Sequence, residues 1–331
     1  MDGAIAAVSN DVGARALSTL TIRRTGAFLS AEVTGVDLRK PLNAATVEAI
    51  GNALAQHEVL VFPDQEISAE DLMRFGRYFG LLSVHPFSTN ADHAPELIVF
   101  DNKEGNPPHA TDIWHSDETF REIPPMATAL CSKVIPEIGG DTCFCSMTAA
   151  YDGLSDRMQN FLSGLEAVHD FKPFKTLFAQ DEEGWKRLQY FENLYRPATH
   201  PVVRVHPVTG RKAIFVNPQF TLYIKGMEEQ ESRTLLGTLF GLVNRLEHQY
   251  RHRWSPNQLV SWDNRSVQHA AVHDYYPQRR RMDRVTIAGD ARPIGDAPPP
   301  GAGEIRKFKH PPATDFAQGR ARRQFEKSEG R

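Results

Sequence analysis

The sequence has few cysteines, and this shortage excludes a disulfide-stabilised fold. Its three cysteines, Cys131, Cys143 and Cys145, are odd in number and lie within one segment of the 331-residue chain. Such a pattern argues against the paired framework of small secreted proteins. We expect these residues to be reduced, half-buried strand residues that fill space, rather than metal ligands.

The chain also lacks a charge excess and long apolar runs. It carries 38 Lys and Arg against 41 Asp and Glu, a formal net charge of −3, so it has no basic footprint for nucleic acid. No run approaches the roughly eighteen apolar residues of a membrane span, and no basic segment leads into an apolar signal stretch at the N-terminus. We therefore expect a cytoplasmic enzyme with a small soluble partner, without nucleic acid or membrane.

The composition predicts one domain between two irregular ends. Residues 1–19 are small and polar and predict a flexible N-terminal arm, whereas 20–292 carry sustained apolar patterns and predict the domain itself. The segment 293–331 is proline-rich and basic, with eight Lys or Arg against four Asp or Glu in 301–331. We expect a solvated tail, with a subunit-contacting arm as the alternative, and a homo-oligomer.

Hydrophobic periodicity predicts a strand-rich α+β domain. The predicted strands lie at 20–22, 28–33, 59–62, 97–100 and 127–131, in a hairpin joining 202–206 to 213–216, and after Pro256. Predicted helices begin after Asn43 and after Ser68, a helical rhythm runs through 148–171, and the clearest predicted helix covers 228–250. The run at 59–62 is apolar throughout, as expected for a strand covered on both faces.

A candidate metal site begins with His115 and Asp117, two residues apart in a segment predicted to be extended. Side chains on a strand alternate, so both would point to one face. His269 lies 152 residues after Asp117, where an apolar run ends in a polar cluster. Two His and one carboxylate on one face of a metal suit non-haem Fe(II) chemistry. A chance surface pair is the alternative for His-x-Asp, and zinc could use the same three ligands without redox chemistry.

Four motifs together resemble the taurine/2-oxoglutarate dioxygenase family, which includes 2,4-dichlorophenoxyacetate and alkylsulfatase dioxygenases. They are W-H-x-D at 114–117, G-G-D-T at 139–142, W-D-N-R-x-x-x-H at 262–269 and R-R-x-x-x-R at 279–284. The resemblance covers roughly residues 20–292. It implies a double-stranded β-helix, or jelly roll, with flanking helices and a helical insertion between the metal ligands.

The resemblance also implies the cofactors. His115, Asp117 and His269 would be the catalytic metal ligands for Fe(II), and O2 and 2-oxoglutarate would be cosubstrates. Thr142 and Arg280 would hold the distal carboxylate of 2-oxoglutarate, since a guanidinium suits bidentate carboxylate binding. Trp262 resembles an aromatic wall beside the cosubstrate, with ordinary core packing as the alternative.

Arg284 is the candidate for the primary substrate. Strand periodicity places Arg280 and Arg284 on one face, and Arg279 and Arg281 on the other, where they would be solvated or paired with acids. Four strand residues span about 13 Å, so the two arginines should bind different anions. By resemblance, Arg284 holds the anionic head of the substrate. Pairing with an acid on a neighbouring strand is the alternative.

His85, Phe171 and Phe220 occupy positions that resemble taurine-contacting residues of the family. Two departures, Ser88 and Thr111, replace a tyrosine and an asparagine of the taurine-selective member, which argues against an ammonium-specific site. The predicted substrate is a small organic anion, with a taurine-like sulfonate favoured. An alkyl sulfate, an aryloxyalkanoate, or a non-catalytic metal-stabilised binding protein are the alternatives.

Overall fold

Strands dominate the part of the chain that the computed structural model describes, which is residues 20–87, 90–91, 94–103, 111–178 and 180–295. The predicted arm at 1–19 and all but the first three residues of the predicted tail lie outside these residues. Within them, no helix is long and apolar enough to cross a membrane. The strands are β1 (Thr21–Arg24), β2 (Ala31–Thr34), β3 (Val59–Phe62), β4 (Leu82–Ser83), β5 (Asn90–Ala91), β6 (Ala94–Asn102), β7 (Ala127–Val134), β8 (Thr142–Ser146), β9 (Glu166–His169), β10 (Ala198–Pro201), β11 (Val203–Val205), β12 (Lys212–Ile214), β13 (Thr221–Ile224), β14 (Gln249–His252), β15 (Leu259–Asp263), β16 (Val267–Ala271) and β17 (Arg280–Ile287).

The helices lie before, between and after groups of strands. They are α1 (Ala44–His57), α2 (Ala69–Arg77), α3 (Met147–Asp152), α4 (Asp156–Leu162), α5 (Glu182–Leu194) and α6 (Glu229–Phe240), with 3-10 turns at Lys172–Leu177, Gly241–Asn244 and Leu246–His248. Asn43 caps α1 through its side chain, and Ser68 with Asp71 forms a capping box at the start of α2. Both predicted helix starts are therefore confirmed.

A large sheet and a small sheet carry the candidate site. The large sheet has the order β1-β2-β3-β15-β7-β17-β6-β5, with β4 paired to β17, and the small sheet has the order β14-β8-β16. In the large sheet the strand pairs are antiparallel except for β2 with β3. Two further groups, β10-β9-β13 and the hairpin β11-β12, lie in the segment between β8 and β14. The mixed sheets and flanking helices confirm an α+β fold.

Strand β3 shows how the layers pack. Leu60 and Phe62 belong to a cluster with residues of α1 and α2, whereas Val59 and Val61 belong to a cluster with β8 and β16 residues such as Phe144. Because side chains alternate along a strand, β3 is covered on both faces. The prediction of a fully buried strand at 59–62 is confirmed.

Two helix predictions extend too far. α6 ends at Phe240, and the residues at 249–252 form β14, which pairs with β8. Gly241 and Asn244 have low helix propensity, and the sheet supplies the hydrogen bonds that a longer helix would have made. In the predicted helical segment 148–171, Gly164 lies in the left-handed region at φ +75°, and the following residues form β9. Tertiary pairing therefore overrides the helical spacing in both segments.

Candidate active site

Three buried side chains, His115, Asp117 and His269, lie close enough to share one metal ion. His269 lies in β16, but His115 and Asp117 precede β7 without forming a strand. His115 instead makes a single antiparallel bridge to His269, with backbone N–H groups donating to carbonyls over 3.0 and 2.8 Å. The expected strand at His115 is therefore wrong, and the bridge to β16 brings the two imidazoles together.

The triad has the spacing of a metal site. Oδ1 of Asp117 lies 3.6 Å from Nε2 of His115 and 3.8 Å from Nε2 of His269. One ligand atom from each residue lies within 4.8 Å of the other two. Ligand bonds near 2 Å place an ion among atoms at these separations.

Hydrogen bonds orient two of the ligands. Nδ1 of His115 lies 2.7 Å from the carbonyl of Ile113, which can only accept, so the imidazole proton belongs on Nδ1 and Nε2 is free to bind metal. The hydroxyl of Thr128 in β7 donates to Oδ2 of Asp117 over 2.7 Å, which leaves Oδ1 facing the histidines. Such outer contacts fix ligand orientation. The sequence analysis did not identify Thr128.

Asn264 holds the backbone of the loop that carries Asp117. Its side-chain oxygen accepts from the Asp117 N–H over 2.6 Å, and its amide donates to the Asp117 carbonyl over 3.0 Å. Asn264 is the N of the W-D-N-R motif. The motif therefore positions a metal ligand 147 residues away in sequence.

The other polar members of this motif form a buried ion pair. Arg265 donates to both carboxylate oxygens of Asp263 over 2.8 and 2.5 Å, and Asp263 also lies 3.0 Å from Nε2 of His206. Burial alone would raise the pKa of Asp263, but Arg265 and His206 hold it well below its usual range. This pair lies at the end of β15, just before the strand that carries His269.

The protonation states of the triad suit a metal. Burial would raise the pKa of Asp117, but Arg284 and the two triad histidines hold it well below the usual range. Burial and the neighbouring His115 lower the pKa of His269 to about 3. At neutral pH the triad therefore offers a carboxylate and an unprotonated imidazole, the forms that bind metal.

One cleft is lined by the two histidines of the triad and by the predicted cosubstrate residues. Six residues predicted from the sequence line it. They are His115, His269, Thr142, Trp262, Arg280 and Arg284. The remaining lining residues are Phe100, Asn102, Thr111, Leu130, Ala271, His273 and Tyr275.

Arg280 carries a buried positive charge that has no acidic partner in the described part of the chain. Its side chain is 9 % exposed, Nε donates to the Gly140 carbonyl over 3.0 Å, and Nη2 is buried without a hydrogen-bond partner. Burial lowers the pKa of the guanidinium. A buried charge without a counter-ion is costly. The arrangement therefore suits an anionic ligand inside the cleft.

Gly140 explains part of the G-G-D-T motif. Its φ of +74° lies in the left-handed region, and a Cβ there would come within 3.1 Å of Cδ of Arg280. Only glycine combines this conformation with so close an approach. Gly140 therefore lets Arg280 lie against the backbone at the end of the cleft.

Aromatic rings and an amide complete the surroundings of Arg280. Cζ of Arg280 lies 6.0 Å from the ring centroid of Trp254 and 5.7 Å from that of Tyr275. The Asn102 side chain accepts from the Arg280 backbone N–H over 2.9 Å. Nε1 of Trp254 donates to the hydroxyl of Thr142 over 2.9 Å. The sequence analysis identified none of Trp254, Tyr275 and Asn102, because no local motif contains them.

Trp262 fits both interpretations considered for it. Its ring centroid lies 4.6 Å from that of His269, and the side chain lines the cleft. It also packs 5.4 Å from Phe144 in the apolar cluster between the sheets. Trp262 is therefore a core residue that supports a metal ligand.

Arg284 faces the same cleft and lies against the triad. Its Nη2 is 2.8 Å from Oδ1 of Asp117. The acid that it contacts is thus the predicted metal ligand and not a residue of a neighbouring strand. An anion bound by Arg284 would therefore lie beside the metal site.

The alternation along β17 agrees with the predicted faces. Arg279, just before the strand, pairs with Asp101 at 2.7 Å, and Arg281 lies 3.5 Å from Asp283. These two arginines pair with acids, whereas Arg280 and the residue four positions later line the cleft. The alternation of side chains along a strand therefore distinguished Arg280 and Arg284, which line the cleft, from Arg279 and Arg281.

Of the four predicted substrate residues, Arg284 lines the cleft, whereas His85, Phe171 and Phe220 lie outside the cleft lining. Phe171 and Phe220 belong to an aromatic group that we call the phenylalanine cluster, and the Phe220 ring lies 6.2 Å from that of His115, edge to face. His85 contacts Phe174 of this cluster at 5.4 Å between ring centroids. The cluster consists of Phe87, Phe120, Phe171, Phe174, Phe178, Phe191 and Phe220. Substrate contact by His85, Phe171 and Phe220 stays a prediction.

Comparison with known proteins agrees with this geometry. The family model described as "Taurine catabolism dioxygenase TauD, TfdA family" matches residues 21–286. An alpha-ketoglutarate-dependent sulfate ester dioxygenase from Pseudomonas putida is 36 % identical over 83 % of this chain and 91 % of its own length. An alpha-ketoglutarate-dependent 2,4-dichlorophenoxyacetate dioxygenase from Cupriavidus pinatubonensis is 32 % identical over 80 % of this chain and 96 % of its own length. The crystal structure of a taurine dioxygenase from Burkholderia xenovorans covers 83 % of this chain and 93 % of its own, with 31 % identity and a TM-score of 0.70.

The chain therefore belongs to the TauD/TfdA dioxygenase family. It is an oxidoreductase of the α-ketoglutarate-dependent, that is 2-oxoglutarate-dependent, class. The resemblance stated from the four motifs is confirmed.

Proposed function

We propose that this protein binds Fe(II) through His115, Asp117 and His269 and hydroxylates a small organic anion at the expense of 2-oxoglutarate and O2. Bound Fe(II) would supply the oxidising chemistry, with succinate and carbon dioxide as coproducts. The donor set of two imidazoles and one carboxylate leaves one side of the ion open, as this chemistry requires. Zinc fits the same donors but supplies no redox chemistry.

The observation that carries the proposal is the buried Arg280, which has no acidic partner among the residues that the structure describes. We infer that it pairs with the distal carboxylate of 2-oxoglutarate, because a charge-assisted bidentate contact would satisfy its free Nη2. Thr142 lines the same end of the cleft and adds a hydroxyl. A purely metal-stabilised binding protein would not need this second anion site.

We infer that the substrate carries an anionic head bound by Arg284 and an apolar body. The metal ligand His115 contacts the phenylalanine cluster through Phe220. A cluster made of phenylalanine rings offers an ammonium group no hydrogen-bond acceptor, which argues against taurine itself. A sulfate ester or an apolar sulfonate is favoured, since the relative with 36 % identity is named for sulfate esters. An aryloxyalkanoate is the second candidate, supported by the relative named for 2,4-dichlorophenoxyacetate.

We also propose that the large sheet and the small sheet are the two halves of a double-stranded β-helix. Support comes from the shared apolar cluster that contains residues of β3, β7, β8 and β15–β17. A jelly roll would gather His115 and His269 at one end of the fold, as the bridge between them requires.

The test is succinate release by the full chain, supplied with Fe(II) and 2-oxoglutarate, across alkyl sulfates, apolar sulfonates, taurine and aryloxyalkanoates. The proposal expects release that depends on Fe(II), is not supported by Zn(II), and is strongest with a sulfate ester or apolar sulfonate. Preference for taurine would overturn the apolar substrate site. Binding of 2-oxoglutarate without turnover of any anion would favour the non-catalytic alternative.

A further inference from the structure

Trp254 contacts both residues proposed to hold 2-oxoglutarate, Thr142 and Arg280, although it does not itself line the cleft. Its indole Nε1 lies 2.9 Å from Oγ1 of Thr142. An indole N–H can only donate, so the Thr142 oxygen accepts this bond. The single hydroxyl proton of Thr142 is therefore left for another acceptor, and Thr142 lines the cleft.

Packing around the indole of Trp254 keeps its N–H directed at the Thr142 oxygen. Trp254 is 5 % exposed, and the ring of His252 packs against it at 4.6 Å and 90°. Nδ1 of His252 lies 2.9 Å from the hydroxyl of Tyr250, which anchors that ring in turn. The donor of the Trp254–Thr142 hydrogen bond is thus fixed by packing on β14 and the residues after it.

The same indole also faces the guanidinium. Cζ of Arg280 lies 6.0 Å from the Trp254 ring centroid and 5.7 Å from that of Tyr275. At these distances a ring attracts a cation weakly and restricts its movement. One side chain therefore constrains both the hydroxyl and the cation of the anion site.

We propose that Trp254 is a positioning residue for the distal carboxylate of 2-oxoglutarate, acting through the hydroxyl of Thr142. This inference rests on the proposed function, since it assigns Thr142 and Arg280 to the cosubstrate. A threonine hydroxyl that rotates freely would donate to the carboxylate only part of the time. With the Trp254 N–H bound to its oxygen, the proton is directed into the cleft.

The test compares affinities in the full chain loaded with Mn(II), which avoids turnover. The substitution Trp254→Phe keeps an aromatic ring but removes the N–H. We expect the dissociation constant for 2-oxoglutarate, measured by calorimetry, to rise about fivefold, the effect of one neutral hydrogen bond. Trp185→Phe is the matched control, since Trp185 lies 51 % exposed on α5 and should leave the affinity unchanged.

The same substitution in a Thr142→Val background separates positioning from packing. If Trp254 acts through the hydroxyl, Trp254→Phe should then change the affinity less than twofold. An equal loss in both backgrounds would show a general packing role and overturn the inference. Melting temperatures of the four proteins identify any variant that is not folded, and Thr142→Ser should retain most of the coupling.

Failure of the inference differs from failure of the proposed function. If Thr142→Val and Arg280→Ala weaken binding but Trp254→Phe does not, only the role of Trp254 is wrong. If neither Thr142→Val nor Arg280→Ala changes the affinity, the proposed cosubstrate site is wrong as well.

Discussion

The residues proposed to bind the cosubstrate and those proposed to bind the substrate are held in place by different means. The cosubstrate side, which we define as Thr142, Trp254, Tyr275 and Arg280, rests on strands or on short segments next to them. Thr142 pairs with His252 on one side and with Ala271 on the other. Sheet register therefore determines where each of these groups lies.

The substrate side, which we define as His85, Arg284 and the phenylalanine cluster, draws mainly on loops and on the segment between β8 and β14. Phe171 follows β9, Phe191 lies in α5, and Phe220 precedes β13. Ring packing rather than strand pairing holds these residues together, as in the stacked Phe87 and Phe171 at 5.3 Å. Such a surface can change with loop composition while the strands stay the same. Strand register thus holds the residues proposed for the cosubstrate, whereas packing of aromatic rings holds most of those proposed for the substrate.

Both sides depend on the triad, so its loss should have the largest effect. We expect His115→Ala, Asp117→Ala or His269→Ala each to abolish Fe(II)-dependent turnover, because two ligands cannot hold the facial geometry. Mn(II) titration should show lost metal binding. His57→Ala, at the end of α1, is a control that should bind metal normally. Full activity in any triad variant would remove that residue from the site.

The cosubstrate side is tested by Arg280→Ala. A charge-assisted hydrogen bond contributes roughly 1.5–3 kcal/mol, so the 2-oxoglutarate requirement should rise about 10- to 150-fold. Arg279→Ala is the matched control, since the adjacent Arg279 pairs with Asp101. If Arg280→Ala lowered the affinity for the primary substrate as much as the affinity for 2-oxoglutarate, the two sides would not bind different ligands.

Arg284→Ala tests the substrate side. We expect at least a tenfold rise in KM for the primary substrate, with a smaller change in the 2-oxoglutarate requirement. Because Arg284 contacts Asp117 at 2.8 Å, metal affinity should be measured in the same variant. Equal losses for both ligands, or a fall in melting temperature alone, would assign Arg284 a structural role.

The pH dependence of stability should differ least between the two sides, because a buried neutral histidine lies beside each, His252 against Trp254 and His200 against the backbone on either side of Phe120. Burial lowers the pKa of His200 and of His252 to about 4. Between about pH 6.5 and 4 the unfolded chain binds more protons than the folded chain, so stability falls as pH falls through this window. Each histidine should contribute on the order of 2–3 kcal/mol.

Urea unfolding at pH 7.5, 6 and 5 checks this expectation. His200→Gln keeps an amide donor for the carbonyls of Thr119 and Arg121, which the His200 ring contacts at 2.9 Å. The variant should lose less stability than the unsubstituted protein as the pH is lowered. An unchanged pH dependence would show that His200 is already protonated in the folded state or contributes little.

The chemistry of the residues and the local period of their side chains were sufficient to predict part of the fold and of the candidate site. The types and motifs around His115, Asp117 and His269 predicted the ligand set, and the alternation of β17 predicted which arginines share a face. The capping residues of α1 and α2 and the doubly covered strand β3 were also predicted, because each depends on neighbours a few residues away.

The tertiary structure alone decided the contacts between distant segments. The Trp254–Thr142 hydrogen bond joins residues 112 positions apart, and Asn264 reaches Asp117 across 147 positions. Sheet pairing also ended α6 at Phe240 and made β14 of residues predicted to be helical. A local pattern specifies the period and chemistry of a segment, but it does not specify the register in which that segment meets a strand 100 residues away. That register placed Trp254 beside Thr142 and Arg280.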